Sequence, residues 1–279
     1  MIKGRVVAVI GGQYGDEGAG RIVHHIADNF SVHVRTGDGL PKRQFTMAGE
    51  EYLQAVIPCG WTSAEADLVI ARGSLVDLDR FKSELDFIKT IDPLVVSRIF
   101  IDELATVYVN NEPRMLAKHA VKLPKYKWLA RMLEQNTPKI MRGWGNKSRH
   151  ILLEGCGSTG QNVAEVPVGS MCAARDTGVA QMCASAGIPP QFVNCTILVC
   201  KASTALKQMD VIQEAVTLNA PTTIALMGVP DSASKYADFS RKTRDMVRVM
   251  ERRLHVPVGI IGTEDEIVER IKMSDLIYG

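Results

Sequence analysis

Residues 5–27 carry the pattern that most constrains the fold: a buried strand, a glycine-rich loop and a helix in immediate succession. Val6 to Ile10 are apolar and mostly β-branched, as in a strand that is buried on both faces. Five of the ten residues from Gly11 to Gly20 are glycine, too many for the interior of a strand or helix. From Arg21 onward, apolar residues recur at a helical period. This order predicts a phosphate-binding loop, because it places backbone N–H groups at the start of a helix.

The loop departs from both common nucleotide-binding fingerprints. It contains no G-x-G-x-x-G, and although residues 15–20 have P-loop spacing, Arg21 and Ile22 stand where that motif has Lys and Ser or Thr. Asp16 and Glu17 are unusual in such a loop, because a carboxylate repels phosphate unless it holds a metal ion or a proton. The alternative interpretation is a tight turn that only closes the αβ unit.

The loop resembles that of the adenylosuccinate synthetases, which reads Gly-x-Gln-Trp-Gly-Asp-Glu-Gly-Lys-Gly-Lys. Here Tyr14 replaces the Trp, and Ala19 and Arg21 replace the two lysines. In that family the loop holds the GTP phosphates and Mg²⁺, and its Asp deprotonates the purine N1 so that the 6-oxygen is phosphorylated. The resemblance implies that Asp16 is this base and a metal ligand, and that Arg21 takes part in catalysis. The implied phosphate-binding residues of the loop are Gln13, Gly15, Glu17, Gly18, Ala19 and Gly20.

Composition argues against several other classes of protein. A net charge of +2 and 46% hydrophobic residues indicate neither a strongly acidic nor a strongly basic partner surface. No apolar run approaches the roughly 18 residues of a membrane span, and no signal-peptide pattern is present. The six cysteines lie in apolar segments without C-x-x-C spacing, so we expect reduced thiols. These features predict a cytoplasmic protein that does not bind a membrane.

A second segment, residues 151–189, also resembles the family. Its start is similar to the family's Phe-Glu-Gly-Ala-Gln-Gly strand and turn. The turn offers backbone N–H groups and two hydroxyls, which suit phosphate or amide recognition. Gly157, Ser158 and Thr159 are therefore expected to bind the nucleotide.

Two further residues are candidates for nucleotide contacts. Arg175, followed by Asp176, is similar to the Ser-Arg-Asp-Cys-Thr of phage 2-aminoadenylosuccinate synthases, which act on dGMP. The alternative is a local ion pair that caps a helix. Asp210 lies where the family has a Thr-Lys-Leu-Asp segment that reads guanine, and an acidic residue at a helix start is its alternative.

Other parts of the family pattern are missing. The general-acid histidine is absent, and Lys42 or Arg43 falls near its place. A cation there suits phosphoryl oxygens, and a solvated basic turn is equally compatible with the residues. The family's IMP-phosphate loop and aspartate-binding loop are not recognisable.

Alternating strands and helices predict an α/β fold with a largely parallel central sheet flanked by helices. Further strands are predicted at 31–35, 52–58, 97–102, 192–202, 222–227 and 256–261, and helices at about 78–90 and 240–254. No repeat or clear linker divides the chain, so residues 1–279 are expected to form a single domain.

Residues 110–150 are basic and interleaved with aromatic residues. This pattern fits a nucleic-acid surface, but it fits a nucleotide-facing or merely solvated surface as well. Since charge elsewhere in the chain is compensating, we expect no nucleic-acid partner.

The resemblance implies a ligase. With Mg²⁺ and GTP or ATP, such an enzyme phosphorylates a purine nucleoside monophosphate of the IMP or dGMP class, and aspartate or another amine then displaces the phosphate. The family also implies a homodimer. The alternative is a catalytically degenerate protein of the same fold that binds purine nucleotides in a regulatory or subunit role. Loss of the histidine and lysine favours this alternative, whereas Asp16 favours the ligase, because a carboxylate facing phosphates does not help simple binding.

Overall fold

A computed structural model describes residues 5–13, 17–37, 43–47, 49–109, 112–115, 129, 132, 150–155 and 178–278. The strands in these ranges are β1 (Val6–Gly11), β2 (Val32–Thr36), β3 (Arg43–Met47), β4 (Glu50–Gln54), β5 (Asp67–Ile70), β6 (Ile99–Ile101), β7 (Thr106–Val109), β8 (Glu112–Met115), β9 (Ile151–Gly155), β10 (Val193–Lys201), β11 (Thr223–Val229), β12 (Val258–Thr263) and β13 (Ile267–Glu269). The helices are α1 (Ala19–Ile26), α2 (Leu78–Ile91), α3 (Val179–Ala186), α4 (Ala202–Ala205), α5 (Met209–Asn219), α6 (Arg241–Leu254) and α7 (Met273–Tyr278).

Nine of the described strands form one sheet in the order β13-β12-β11-β10-β1-β9-β2-β5-β6. Within it, β1 pairs in parallel with β10 on one side and β9 on the other. The antiparallel pairing in this sheet is that of β13 with β12. After β1, the strands β2, β5 and β6 follow one another on one side of β1. After β9, the strands β10, β11 and β12 follow one another on its other side. The direction in which strands are added therefore reverses at β1. The predicted α/β fold with a mostly parallel central sheet is confirmed.

Helices cover both faces of the sheet. Alternate residues of β1 point to opposite faces, so Val7 and Val9 join one buried cluster while Val6 and Ala8 join the other. The first cluster contains apolar residues of α1, α2 and α7, and the second those of α3, α5 and α6. The continuous apolar run of β1 is therefore explained by burial on both faces.

The strand predicted at 52–58 is wrong in its second half. β4 ends at Gln54 after pairing with β3 in an antiparallel hairpin. The next three backbone N–H groups, of residues 55–57, donate to the carboxylate of Glu84 on α2 at 2.8–3.0 Å. A side-chain acceptor thus replaces the neighbouring strand that these apolar residues would otherwise need.

The remaining predicted elements agree with the structure to within a few residues. Helix α2 begins after Asp77, whose carboxylate accepts the Arg80 N–H, and α6 begins after Ser240, whose hydroxyl accepts the Thr243 N–H. Within the described ranges, every helix is too short or too polar to cross a membrane. Most of the basic segment 110–150 lies outside the described residues.

Candidate functional site

A cavity of about 520 Å³ lies at the carboxyl edge of the parallel sheet. Its lining comes from the loop after β1, the first turn of α1, the hairpin and the ends of β10, β11 and β12: Glu17, Gly18, Arg21, Phe45, Glu51, Lys201, Met227, Gly228, Val229, Pro230 and Glu264. In open parallel sheets, ligands bind at this edge where the strand order reverses. The reversal at β1 therefore makes this cavity the candidate site.

Gly18 shapes the wall of the cavity at the start of α1. It has a left-handed backbone with φ of +88° and is the N-cap of the helix. A Cβ atom at this position would lie 3.1 Å from the Met227 Cβ, closer than ordinary contact. The left-handed backbone and the close approach of the Met227 side chain on β11 therefore both favour glycine here. The positive end of the α1 dipole is directed at the cavity, as an anionic ligand needs.

Two cations border the cavity from different elements. Arg21 lies in the first turn of α1, and its Nη1 donates to the Thr263 carbonyl at 2.6 Å. This bond ties α1 to the end of β12. Lys201, the last residue of β10, lines the cavity with an exposed side chain. Because both cations face the same space as the start of α1, the cavity is suited to phosphate oxygens.

The side chain of Gln13 links the loop after β1 to the segment that follows β10. Its Nε2 donates to Thr204 Oγ1 at 2.9 Å and to Gln208 Oε1 at 2.7 Å. Its Oε1 accepts the backbone N–H of Lys201. Gln13 is 7% exposed. Its amide therefore holds the loop against the residue that supplies the second cation.

Glu17 is largely buried at the base of the loop. A Cβ atom on Gly11 would lie 2.9 Å from Glu17 Oε2, so the carboxylate packs directly against the end of β1. Burial and, after it, the charge of Glu17 raise the pKa of the Cys200 thiol. Burial also raises the pKa of Cys183 and Cys195 to about 11. A raised pKa favours the protonated thiol at neutral pH. Among the described residues, Cys59, Cys183, Cys195 and Cys200 are free cysteines.

Stacked rings support the hairpin side of the cavity. The Phe45 ring stacks on His24 at 5.0 Å and on Tyr52 at 5.6 Å between centroids. His24 Nδ1 also lies 3.0 Å from Thr62 Oγ1. The pKa of His24 is lowered, mainly by burial. The charge of Asp28 acts in the opposite direction, and His25 lowers the pKa further.

Glu154 anchors the loop that follows the hairpin. At the end of β9 this fully buried carboxylate accepts the backbone N–H groups of Cys59 at 3.0 Å and Gly60 at 3.2 Å. His33 Nδ1 lies 3.6 Å from Glu154 Oε1. A Cβ on Gly60 would lie 1.9 Å from the His33 ring, so only glycine fits there.

The structure brings together part of the predicted site. Glu17, Gly18 and Arg21 line the cavity, Ala19 and Gly20 form the adjoining start of α1, and Gln13 braces the loop. Asp210 lies exposed in the first turn of α5 and does not line the cavity. The residues Gly15, Asp16, Lys42, Gly157, Ser158, Thr159 and Arg175 lie outside the described residues.

Sequence reasoning gave no site role to Lys201, Glu51 or Glu264. A charged residue that ends a buried strand was a usable signal for Lys201. For Glu51 and Glu264 the sequence carries no comparable signal. Among the described residues, no three His, Cys, Asp or Glu side chains come together as a metal site.

The fold and cavity define an α/β protein with a mostly parallel sheet and a ligand site at its carboxyl edge. Within that class, residues 8–119 match the family model of adenylosuccinate synthetase. The adenylosuccinate synthetase of Koribacter versatilis is 31% identical over 106 residues, which are 38% of this chain and 24% of that protein. That of Methanocaldococcus jannaschii is 36% identical over 98 residues, 34% of this chain and 28% of that protein. The matched segment thus spans about a quarter of the length of these relatives.

Solved structures share the fold over nearly the whole chain. The fully ligated adenylosuccinate synthetase of Plasmodium falciparum has a TM-score of 0.71 at 11% identity, covering 95% of this chain and 100% of that one. The succinoaminodeoxyadenylate synthetase of cyanophage S-2L, bound to dGMP and to dATP as energy donor, has a TM-score of 0.66 at 13% identity, covering 98% and 97%. The sequence matches confirm the resemblance to adenylosuccinate synthetases, which are ligases, within residues 8–119. The solved structures show that the fold is shared.

Proposed function

We propose that the protein is a purine-nucleotide ligase of the adenylosuccinate synthetase type. It uses Mg²⁺ with GTP or ATP to phosphorylate the 6-oxygen of a purine nucleotide, with release of the nucleoside diphosphate. The nitrogen of aspartate or another amine then bonds to C6, and the C6–O bond breaks with release of inorganic phosphate. The main support is one observation. The loop after β1 lies within the matched segment 8–119, and it lines a cavity that is also bordered by the start of α1 and by the cations Arg21 and Lys201.

The described residues suit the first step. A triphosphate lies with its phosphates at the start of α1, and Arg21 and Lys201 neutralise charge on the phosphoryl oxygens. Phosphoryl transfer depends mainly on positioning and charge neutralisation, and these residues supply both. The hydrogen bonds of Gln13 hold the loop after β1 and Lys201 in fixed positions relative to each other.

The roles of Asp16 and Mg²⁺ are part of the proposal and come from the resemblance. Asp16 is proposed as the base for the purine N1 and as a ligand of the ion. Mg²⁺ is usually held by one or two carboxylates together with substrate phosphates, so a loop with Asp16 and Glu17 fits it. When bound, the ion supplies charge neutralisation on the phosphates.

The proposed acceptor is a nucleoside monophosphate of the IMP or dGMP class. Gly157, Ser158, Thr159 and Arg175 are proposed to contact nucleotide phosphate, and Asp210 to contact the base. Residues 1–279 are proposed to form one domain that acts as a cytoplasmic homodimer, without a membrane or nucleic-acid partner.

A turnover assay tests the ligase. The protein is incubated with Mg²⁺, GTP or ATP, and IMP or dGMP, with and without aspartate or other amines. Release of nucleoside diphosphate and formation of an amine adduct, followed by mass spectrometry, are expected. The variant Asp16→Asn should abolish both, whereas Lys207→Met, which changes an exposed lysine outside the cavity, should not. Nucleotide binding without turnover in every combination would refute the ligase.

One observation favours the alternative of a degenerate nucleotide-binding protein. Ala19, where the family has lysine, is the first residue of α1 next to the cavity, so this position brings no cation to the phosphates. For that alternative, the assay predicts saturable binding of GTP or ATP with no diphosphate released.

A further inference from the structure

A second cavity, of about 360 Å³, lies between β4 and α2. We call it the aromatic cleft, because the rings of Tyr52, Trp61 and Phe87 line it. The centroid of the Tyr52 ring lies 6.1 Å from that of Trp61 at an interplanar angle of 64°, and 5.5 Å from that of Phe87 at 48°. Because the rings meet at large angles, they form a partial cage around one space rather than a parallel stack. A ring-lined cavity of this size is typical of a site for a small molecule.

Contacts outside the cleft hold two walls of this cage in place. The Tyr52 ring stacks on the fully buried Phe45 ring at 5.6 Å and 15°. The indole N–H of Trp61, which is also buried, donates to Gln54 Oε1 at 2.5 Å. Phe87 is 48% exposed on α2, so the third wall lies where the cleft meets solvent. A cage that is formed before the ligand arrives reduces the entropy cost of binding.

The described lining of the cleft carries more negative than positive charge. It has two carboxylates, those of Glu51 and Glu84, and one guanidinium, that of Arg80, which together give a net charge of −1. Arg80 Nε donates to Glu84 Oε1 at 3.2 Å, and the Glu84 carboxylate also accepts the backbone N–H groups of residues 55–57. Glu51 likewise has an interaction of its own. The carboxylates therefore contribute charge rather than a free hydrogen-bond acceptor, and this favours a cation that needs no acceptor.

From these features we propose that the aromatic cleft binds a small organic cation of the quaternary ammonium class. Such an ion has no N–H group, so it needs no hydrogen-bond acceptor from the protein. Its methyl groups carry the positive charge to the ring faces, where the ring quadrupole attracts it. A primary ammonium is strongly hydrated and would lose hydrogen bonds to water that the cleft does not replace. This site is separate from the proposed nucleotide chemistry and does not depend on it.

Calorimetric titration with choline, without nucleotide, tests the proposal against two compounds of similar shape. In 3,3-dimethyl-1-butanol a carbon atom replaces the charged nitrogen, and 3,3-dimethylbutyrate carries a negative charge instead. Choline should bind roughly tenfold tighter than the alcohol, because only the cation is attracted by the ring quadrupoles. The carboxylate should bind more weakly than the alcohol, because the lining has a net negative charge.

A ring variant separates attraction of the charge from simple apolar packing. Phe87→Leu keeps an apolar side chain but removes the ring quadrupole, so it should weaken choline binding by about threefold or more. The affinity for the alcohol should change little. Phe192→Leu is the matched control, because Phe192 is a ring of similar exposure, 42%, that does not line the cleft. It should leave the affinity for both compounds unchanged.

A charge variant tests the sign of the field in the cleft. Arg80→Gln removes the cation of the lining and should tighten choline binding roughly twofold to fivefold. Lys82→Gln, an exposed neighbour on the same helix that does not line the cleft, should have little effect. The melting temperature of each variant, measured without ligand, shows whether its fold is retained.

Four results would overturn the proposal. They are no binding of choline at millimolar concentration, equal binding of the alcohol, unchanged affinity for choline in Phe87→Leu, and weaker binding in an Arg80→Gln variant of unchanged melting temperature. Because every titration is made without nucleotide, failure of the ligase assay leaves these results unaffected.

Discussion

Gln13 shows how single side chains hold the candidate site together. Its amide uses both its donor and its acceptor atoms, and its partners lie nearly 200 residues away along the chain. Because the Lys201 N–H donates to Gln13 Oε1, the position of one cavity cation depends on a residue of the loop after β1. The bonds are short and largely buried, so their loss has a measurable cost.

Replacing this amide should weaken both folding and nucleotide binding. Gln13→Met has similar length but no polar atoms, and is expected to lower the free energy of unfolding by about 1–3 kcal/mol. Gln13→Glu should retain most of the stability, because the carboxylate accepts from Lys201 and Thr204 while the Gln208 amide turns to donate. Urea denaturation and nucleotide titration of both variants provide the measurement. Equal losses in the two variants would contradict the role of the hydrogen bonds.

His24 should make stability depend on pH. Burial lowers its pKa in the folded state, so the unfolded chain takes up the proton first as pH falls. The free energy of unfolding is therefore expected to decrease as pH drops below the unfolded value of about 6.5. Burial and then Arg5 lower the pKa of His150 in the same direction. The free energy of unfolding, measured by denaturation at pH 7 and at pH 5.5, should differ less between the two pH values in His24→Gln than in the unsubstituted protein. Identical differences in the two proteins would refute the assignment to His24.

At the scale of elements, the entry into α1 and the exit from β4 depend on contacts with other elements. Helix α1 begins after its N-cap Gly18, where a Cβ atom would lie only 3.1 Å from the Met227 side chain of β11. Strand β4 stops at Gln54, where Glu84 of α2 replaces its strand partner. In both cases the boundary of one element is determined by a side chain or backbone of another.

The variant Gly18→Ala should disturb α1 more than backbone strain alone explains. Gly187 is a matched control. It also has a positive φ, of +68°, but a Cβ atom added there would have no atom of the described residues within 4 Å. Gly187→Ala is expected to cost roughly 1–2 kcal/mol from the left-handed backbone. Gly18→Ala should cost more because of the contact with Met227, and should also weaken nucleotide binding. Thermal denaturation and nucleotide titration provide the test, and equal effects in the two variants would contradict it.

At the scale of the whole molecule, the sheet order creates the site. Strands β10, β11 and β12 return to one side of β1 after β2, β5 and β6 have been placed on the other. Their carboxyl ends therefore meet the loop after β1 and enclose the cavity. No short stretch of the chain contains this arrangement.

Ligand binding should stabilise the folded chain as a unit. At a concentration of 100 times Kd, GTP or ATP with Mg²⁺ is expected to raise the free energy of unfolding by about 2.7 kcal/mol. Lys201→Met and Arg21→Met should reduce the shift in melting temperature measured at the same ligand concentration. Lys207→Met should leave it unchanged. A full shift in both cavity variants would exclude these cations from the nucleotide site.

Much of the fold was predictable because its signals are local. The apolar run of β1, the helical period after Arg21 and the capping residues before α2 and α6 each lie within one short segment. The prediction of a strand at 52–58 was wrong for residues 55–57, although their side chains are typical of a strand. Their backbone N–H groups donate to the carboxylate of Glu84, which lies 27 to 29 residues further along the chain. Local propensity is overridden when a distant acceptor satisfies the backbone.

The sequence by itself determined the α/β class, the strand–loop–helix at residues 5–27 and the family resemblance, since all three depend on neighbouring residue types. The tertiary structure decided which strands flank β1, and therefore that Lys201 lines the cavity while Asp210 lies outside it. It also decided that Gln13 braces the loop. The physical reason is that these features arise from contacts between residues far apart in the chain, and the pairing of strands that creates them is absent from any local pattern.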